Sequence, residues 1–179
     1  MFMNAADYPF TVELEESFPS IKQELQRLSP RNFVAWPQKF LYESGWNVFG
    51  LYAFGHKLQE NCSLCPETTR AVERIPGLVT AGFSWMEPGT HIKPHVGFAK
   101  TVLRCHLGLV IPEGCALRVG DEVRSWQEGK TMVFDDTTEH EAWNRSSSIR
   151  VVLLLDFKRP GLDVEVAPPS WAKQEQVVS

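Results

Sequence analysis

Val102-Leu-Arg-Cys-His-Leu-Gly-Leu-Val-Ile111 decides the fold. Side chains along a strand alternate between its two faces. Leu103, Cys105, Leu107, Leu109 and Ile111 form one face, apolar apart from the thiol, and that face suits a core. Val102, Arg104, His106, Gly108 and Val110 form the other, where two polar groups sit beside a glycine that leaves room. Such a strand lines a cavity. Pro112-Glu-Gly114 ends it.

The same character extends in both directions. Residues 82–87 read as a strand before it. Residues 115–119 follow, then a tight turn at Gly120-Asp-Glu122, then strands over 123–126 and 131–134. Residues 142–143, the turn Asn144-Arg-Ser-Ser-Ser148 and residues 149–157 read as a closing hairpin. Eight or so short strands separated by turn signals predict a mainly β protein, a sandwich or jelly roll. Ahead of them, Ile21, Leu25 and Leu28 recur at helical spacing and predict a helix over about residues 19–29. The aromatic-rich residues 46–54 read as a strand, and Pro66 opens a second helix that stops before Pro76. The expected organisation is one domain over 1–179: mixed α/β support over 1–78, a jelly-roll core over 79–160, and a loosely held tail over 161–179 with Pro168-Pro169.

The bulk numbers agree with one globular unit. The chain has 179 residues, with 18 Lys+Arg against 22 Asp+Glu and a formal net charge of -4. That balance gives no global pull toward nucleic acid or an anionic membrane, and neither is expected as a partner. No apolar run approaches the roughly 18–20 residues that a membrane helix needs. The N-terminus lacks a basic stretch followed by an apolar one, so the protein is expected in the cytoplasm, with Cys62, Cys65, Cys105 and Cys115 as reduced thiols. Cys62-Ser-Leu-Cys65 has no second pair at zinc-site spacing and reads as ordinary thiols. Six Trp and eleven Phe point to a well-filled interior or a ring-lined site.

Chemistry concentrates at His95 and His140. They lie in two polar runs, Thr90-His-Ile-Lys-Pro-His-Val-Gly97 and Phe134-Asp-Asp-Thr-Thr-Glu-His-Glu141. Neutral imidazoles from separate segments are what a ferrous ion needs. An iron-binding carboxylate two residues after the first His is missing, because that position is Gly97. Either water fills it or another carboxylate swings in, with Asp136 nearest in sequence. Arg104 with His106 suits a small dicarboxylate. Arg150 begins an otherwise apolar run, and a guanidinium there needs an anionic partner. Ser84 offers a hydroxyl donor to the same ligand.

Four separated stretches together resemble the aspartyl/asparaginyl β-hydroxylase family. They are residues 83–97, 103–112, Trp126-Gln-Glu-Gly-Lys130 and 134–143, in the family's order, and residues 46–66 are similar too. The resemblance implies a double-stranded β-helix, the cupin-like jelly roll, with a few N-terminal helices. It implies an iron(II)- and 2-oxoglutarate-dependent dioxygenase that uses O2. Gly at 97 then belongs to the family's pattern. By resemblance, His95 and His140 hold iron, Ser84 and Arg150 hold the distal carboxylate of 2-oxoglutarate, and Arg104 and His106 contact its proximal end. Asp136 acts near the metal through water, and Trp46 lines the substrate side. The implied substrate is a small molecule, amino acid or peptide, hydroxylated at an unactivated carbon such as an amino-acid β-carbon. Two departures stand out: Val102 replaces a family arginine, and Lys158-Arg-Pro160 replaces Trp-His-Pro. The chain looks like a compact, bacterial-type member. A non-catalytic jelly-roll binding module, or a cupin-type metal enzyme working without 2-oxoglutarate, are the rival readings.

Overall fold

The computed structural model describes residues 1–173. Its strands are β1 (Phe2–Met3), β2 (Val34–Ala35), β3 (Trp46–Ala53), β4 (His56–Lys57), β5 (Leu78–Met86), β6 (His91–His95), β7 (Val102–Val110), β8 (Cys115–Val119), β9 (Glu122–Arg124), β10 (Thr131–Phe134), β11 (His140–Asn144) and β12 (Arg150–Lys158). They form two antiparallel sheets. The larger runs β1-β10-β7-β12-β5-β3-β2, with β4 beside β3, and the smaller runs β6-β11-β8-β9. The mainly β jelly roll expected from the sequence is the fold.

The long strand behaves as its period requires. Leu103, Cys105, Leu107 and Leu109 join Leu153, Leu155 and Phe157 in a core on the outer face of the large sheet. Helices α1 (Phe10–Glu16), α2 (Phe18–Arg27), α3 (Gln59–Leu64) and α4 (Pro66–Glu73) accompany that face and contribute Leu14, Ile21, Cys62 and Val72 to its core. A wholly buried leucine such as Leu107 or Leu153 contributes about 2–3 kcal/mol through removal from water. A second core, with Met86, Leu117, Phe134, Val152 and Leu154, fills the space between the sheets. The polar face of β7 looks into that space.

The helices end where local chemistry ends them. Pro19 sits in the first turn of α2, where its missing N–H costs nothing. Leu28 lies just past α2 in extended backbone rather than inside it. The first turn of α4 is closed from a distance: the buried Glu24 carboxylate accepts from the N–H groups of Glu67 and Thr68 at 3.0 and 2.6 Å and from the Thr68 hydroxyl at 2.7 Å. A carboxylate at a helix N-terminus meets otherwise orphaned donors.

Three expectations need correction. The closing hairpin does not exist: β11 pairs with β6 and β8 in the small sheet, whereas β12 lies between β7 and β5 in the large one. The turn before Arg150 therefore carries the chain from one sheet to the other. Asn144 holds that crossing, donating to the carbonyls of Met86 and Ser148 and accepting from the Ser146 hydroxyl. His95 closes β6. The room at Gly108 is taken by backbone, because a Cβ there would collide with the Gln127 carbonyl. The first third also does more than support the core, since β1, β2, β3 and β4 are strands of the large sheet. Within the tail, Val166 is buried against Val79 and Val102, and a short helix, α5 (Ser170–Lys173), follows; residues 174–179 lie outside the described residues.

Candidate metal and anion site

Register brings the two histidines together. His140 opens β11 directly across from His95 on β6. Their rings lie 4.2 Å apart, centroid to centroid. Each ring is oriented by its own strand: His95 Nδ1 meets the Lys93 carbonyl at 2.7 Å and His140 Nδ1 meets the Thr138 carbonyl at 2.9 Å. A carbonyl only accepts, so both Nδ1 atoms carry the proton and both Nε2 lone pairs are left for an ion. Burial lowers the pKa of both, that of His140 to about 3, with the His95 charge adding to it. Two neutral, pre-oriented imidazoles fit a divalent transition metal. Among the described residues no third His, Cys, Asp or Glu completes a metal-binding cluster with them.

Asp136 is not that third member, and Gly97 shows why it is nevertheless close. The Gly97 N–H donates to the Asp136 carbonyl at 2.7 Å. A Cβ built on Gly97 would run into all three atoms of the Asp136 carboxylate group. The volume that a side chain at 97 would fill therefore belongs to Asp136. Its carboxylate is buried, its Oδ1 has no hydrogen-bond partner, and desolvation lifts its pKa to about 6 against the pull of Arg104.

The two inward arginines differ. Arg104 on β7 faces Asp156 on β12 across the sheet and binds it with two hydrogen bonds, Nε at 2.7 Å and Nη2 at 2.9 Å. Burial opposes the Arg104 charge, but the Asp156 carboxylate outweighs it and raises the pKa. Arg150 is 2% exposed and has no acidic partner among the described residues; its Nε and Nη1 are unsatisfied. Its guanidinium lies over the Trp126 ring, 4.8 Å from the centroid. Desolvation pulls its pKa down to about 9. A cation held in this way is a socket for an anion.

His106 and Ser84 complete the socket's wall. The Trp126 indole donates to His106 Nδ1 at 3.1 Å, so the proton sits on Nε2, which has no partner. Burial drives the His106 pKa well down. The Trp46 indole donates to the Ser84 hydroxyl at 2.9 Å, leaving that hydroxyl's own proton free to donate. Arg150, Ser84, His106, His95 and His140 all line one inner cavity. So does Trp46. Buried and stacked on Trp36 at 4.3 Å, it lines the inner cavity while Trp36 lines the outer cleft.

An outer cleft of about 420 Å³ adjoins the inner cavity, and His95, Arg104 and Leu154 line both. Its walls are mainly apolar, with Trp36, Val48, Leu58 and Phe98 among them. Trp36 and Phe98 carried no sequence signal beyond being aromatic. The buried Thr80 hydroxyl in the cleft has no partner.

This is a jelly-roll protein with two neutral, pre-oriented imidazoles beside a buried, unpartnered guanidinium. The model of the aspartyl/asparaginyl beta-hydroxylase family matches residues 15–160, and the chain belongs to that family. It is 42% identical over 168 residues to an ornithine lipid ester-linked acyl 2-hydroxylase of Rhizobium tropici, covering 88% of this chain and 60% of the relative. It is 41% identical over 131 residues to the aspartyl/asparaginyl beta-hydroxylase of Homo sapiens, covering 68% of this chain but 17% of that protein. The chain thus spans less than two thirds of these relatives. Its relatives are hydroxylases. A prolyl-4-hydroxylase of Pseudomonas putida has the same fold, with a TM-score of 0.55 at 15% identity over 82% of this chain and 88% of that one.

Proposed function

We propose that this chain is an iron(II)- and 2-oxoglutarate-dependent dioxygenase that hydroxylates an unactivated carbon. The observation that carries this reading is Arg150, a buried guanidinium with two unclaimed donors in the same cavity as two neutral imidazoles whose Nε2 atoms are free. His95 and His140 would hold iron(II). Bound there, the metal supplies O2 activation coupled to decarboxylation of 2-oxoglutarate to succinate and CO2. The protein's own groups bind and orient. Arg150 and Ser84 take the distal carboxylate of the keto acid, the guanidinium by charge and the hydroxyl by hydrogen bond. His106 Nε2–H donates toward the proximal end. Arg104 stands at the mouth between cavity and cleft, fixed by Asp156. Asp136, with its pKa near 6 and a free Oδ1, holds a water or a proton beside the pair.

The relatives' names carry two substrate classes, an acyl chain of a lipid and an Asp or Asn residue of a protein. The outer cleft favours the acyl chain. Its walls are apolar, and its one inward arginine is already engaged by Asp156 instead of awaiting an acidic side chain. Buried, unpaired thiols at all four cysteines fit a reducing cytoplasm, where we place the protein.

The test is succinate formation from 2-oxoglutarate with iron(II), ascorbate and short acyl amides or esters. Absence of turnover with every substrate class, together with absence of uncoupled decarboxylation, sinks the reading. Keto-acid binding that ignores added metal would instead favour a non-catalytic module.

A further inference from the structure

The charge of the whole chain hides a local segregation around the outer cleft. Residues 29–42, 44–58 and 88–112 contain no Asp or Glu, and a single exposed acid, Glu43, separates the first two, although the chain has 22 acids and a net charge of -4. These three segments supply most of the cleft's lining. They carry Arg31, Lys39, Lys93 and Lys100, all exposed, and none of these four is in an ion pair among the described residues. Lys57, also here, is paired with Glu73.

Apolar side chains stand exposed among these cations. Val34, Leu58, Val96 and Phe98 line the cleft and are 63%, 38%, 61% and 46% exposed. Phe40, two residues beyond the lining Gln38, is 69% exposed on a 3-10 turn, Lys39–Leu41, that packs beside β6. Singly exposed apolar residues are ordinary, but a cluster on several elements around one opening marks a surface that meets an apolar phase. Among the described residues no helix is long and apolar enough to cross a membrane. The surface would therefore lie on a bilayer rather than span it.

We propose that the mouth of the outer cleft is a docking surface for an anionic phospholipid membrane. The rim side chains insert among the acyl chains while Arg31, Lys39, Lys93 and Lys100 meet headgroup phosphates. Charge decides the partner: apolar rim residues interleaved with four unpaired cations, against one exposed acid, Glu43, match an anionic lipid surface, where each basic residue adds roughly fivefold to binding. A second copy of the same cationic rim would repel itself. Docked in this way, the cleft opens into the hydrocarbon and an acyl chain reaches the histidine pair without crossing water. This consequence rests on the acyl reading above, but the docking itself does not.

The protein, without iron or keto acid, is sedimented with vesicles of phosphatidylcholine alone and of phosphatidylcholine with about one third phosphatidylglycerol. We expect binding to the second and little to the first, and weakening with salt. Lys39→Gln with Lys100→Gln should cut it roughly 25-fold, and Phe40→Ser should cut it severalfold. Both variants should keep the wild-type melting temperature and uncoupled decarboxylation rate, which separates docking from folding and chemistry. The proposal is overturned by no binding to either vesicle, by equal binding to both, or by binding that survives both variants. A salt-insensitive dimer that buries Phe40 in place of vesicle binding also overturns it. Vesicle binding without any succinate would leave this inference standing and sink the enzymatic one; turnover of a soluble acyl substrate without vesicle binding would do the reverse.

Discussion

The two sides of the large sheet treat buried polar groups in opposite ways. On the helix-backed side, Glu24 is almost wholly buried, yet it accepts three hydrogen bonds from the start of α4. On the side facing the small sheet and the cleft, Arg150, His106, Asp136 and Thr80 carry every buried side-chain atom left without a partner among the described residues. An orphaned buried group costs about 1–3 kcal/mol, more when charged. The structure accepts that cost on one side alone. Polar groups that serve the fold are satisfied by the fold, and the unsatisfied ones mark where ligand atoms belong.

The largest expected effect tests the cavity side. His95→Ala should abolish stoichiometric iron binding, measured by metal analysis after anaerobic loading. Retained stoichiometric iron would break the assignment of the pair. Next comes Arg150→Met. Affinity for 2-oxoglutarate should fall by at least about 30-fold, the lower end for truncating a buried charge partner, while the melting temperature of the ligand-free protein holds or rises, because replacing a buried unpaired charge with a hydrophobe relieves desolvation. Calorimetric titration and thermal melts read both arms. Glu24→Gln should do the opposite, lowering stability by about 1–3 kcal/mol with kcat unchanged; loss of activity in a folded Glu24→Gln protein would blur the contrast.

The pH dependence of the ligand-free protein sharpens it further. His140 has a folded pKa near 3, below its ordinary 6.5, so the unfolded chain takes up that proton first and stability is lost as pH falls below about 6.5. Asp136 has a folded pKa near 6, above its ordinary 3.8, so the unfolded chain releases that proton first and stability is lost as pH rises from about 4 to 6. The two contributions oppose each other across that window. Asp136→Asn should remove one of them and steepen the gain in stability between pH 4 and 6, by on the order of 2 kcal/mol. Melting temperatures that run parallel to wild type across that range would show the Asp136 shift to be absent. The smallest effect belongs to Trp46→Phe. It leaves the stack on Trp36 but removes the N–H that orients Ser84, and the KM for 2-oxoglutarate should rise about fivefold, one hydrogen bond's worth.

Much of this was legible because strand period is a local property. Alternation on residues 102–111 placed Arg104 and His106 inward and the leucines outward without reference to any other strand. Arg150 announced itself as a charge in an apolar run. Pairing partners were less visible. Asn144-Arg-Ser-Ser-Ser148 reads as a hairpin turn whether the flanking strands pair or part, and only Asn144's bonds to Met86 and Ser148 decide that they part. Which cavity Trp46 lines is equally invisible in the sequence, since an aromatic residue on a strand gives no sign of which cavity it backs. The engagement of Arg104 by Asp156 depends on a register between strands some fifty residues apart. The cationic rim was concealed by averaging, because a net charge of -4 carries no information about where the acids are missing.

Gly97 and Asp136 share one parcel of space. A donor placed at position 97, two residues after His95, would meet the Asp136 carboxylate, so that carboxylate has to move to admit it. The two positions are therefore coupled, and a change at either one is felt at the other.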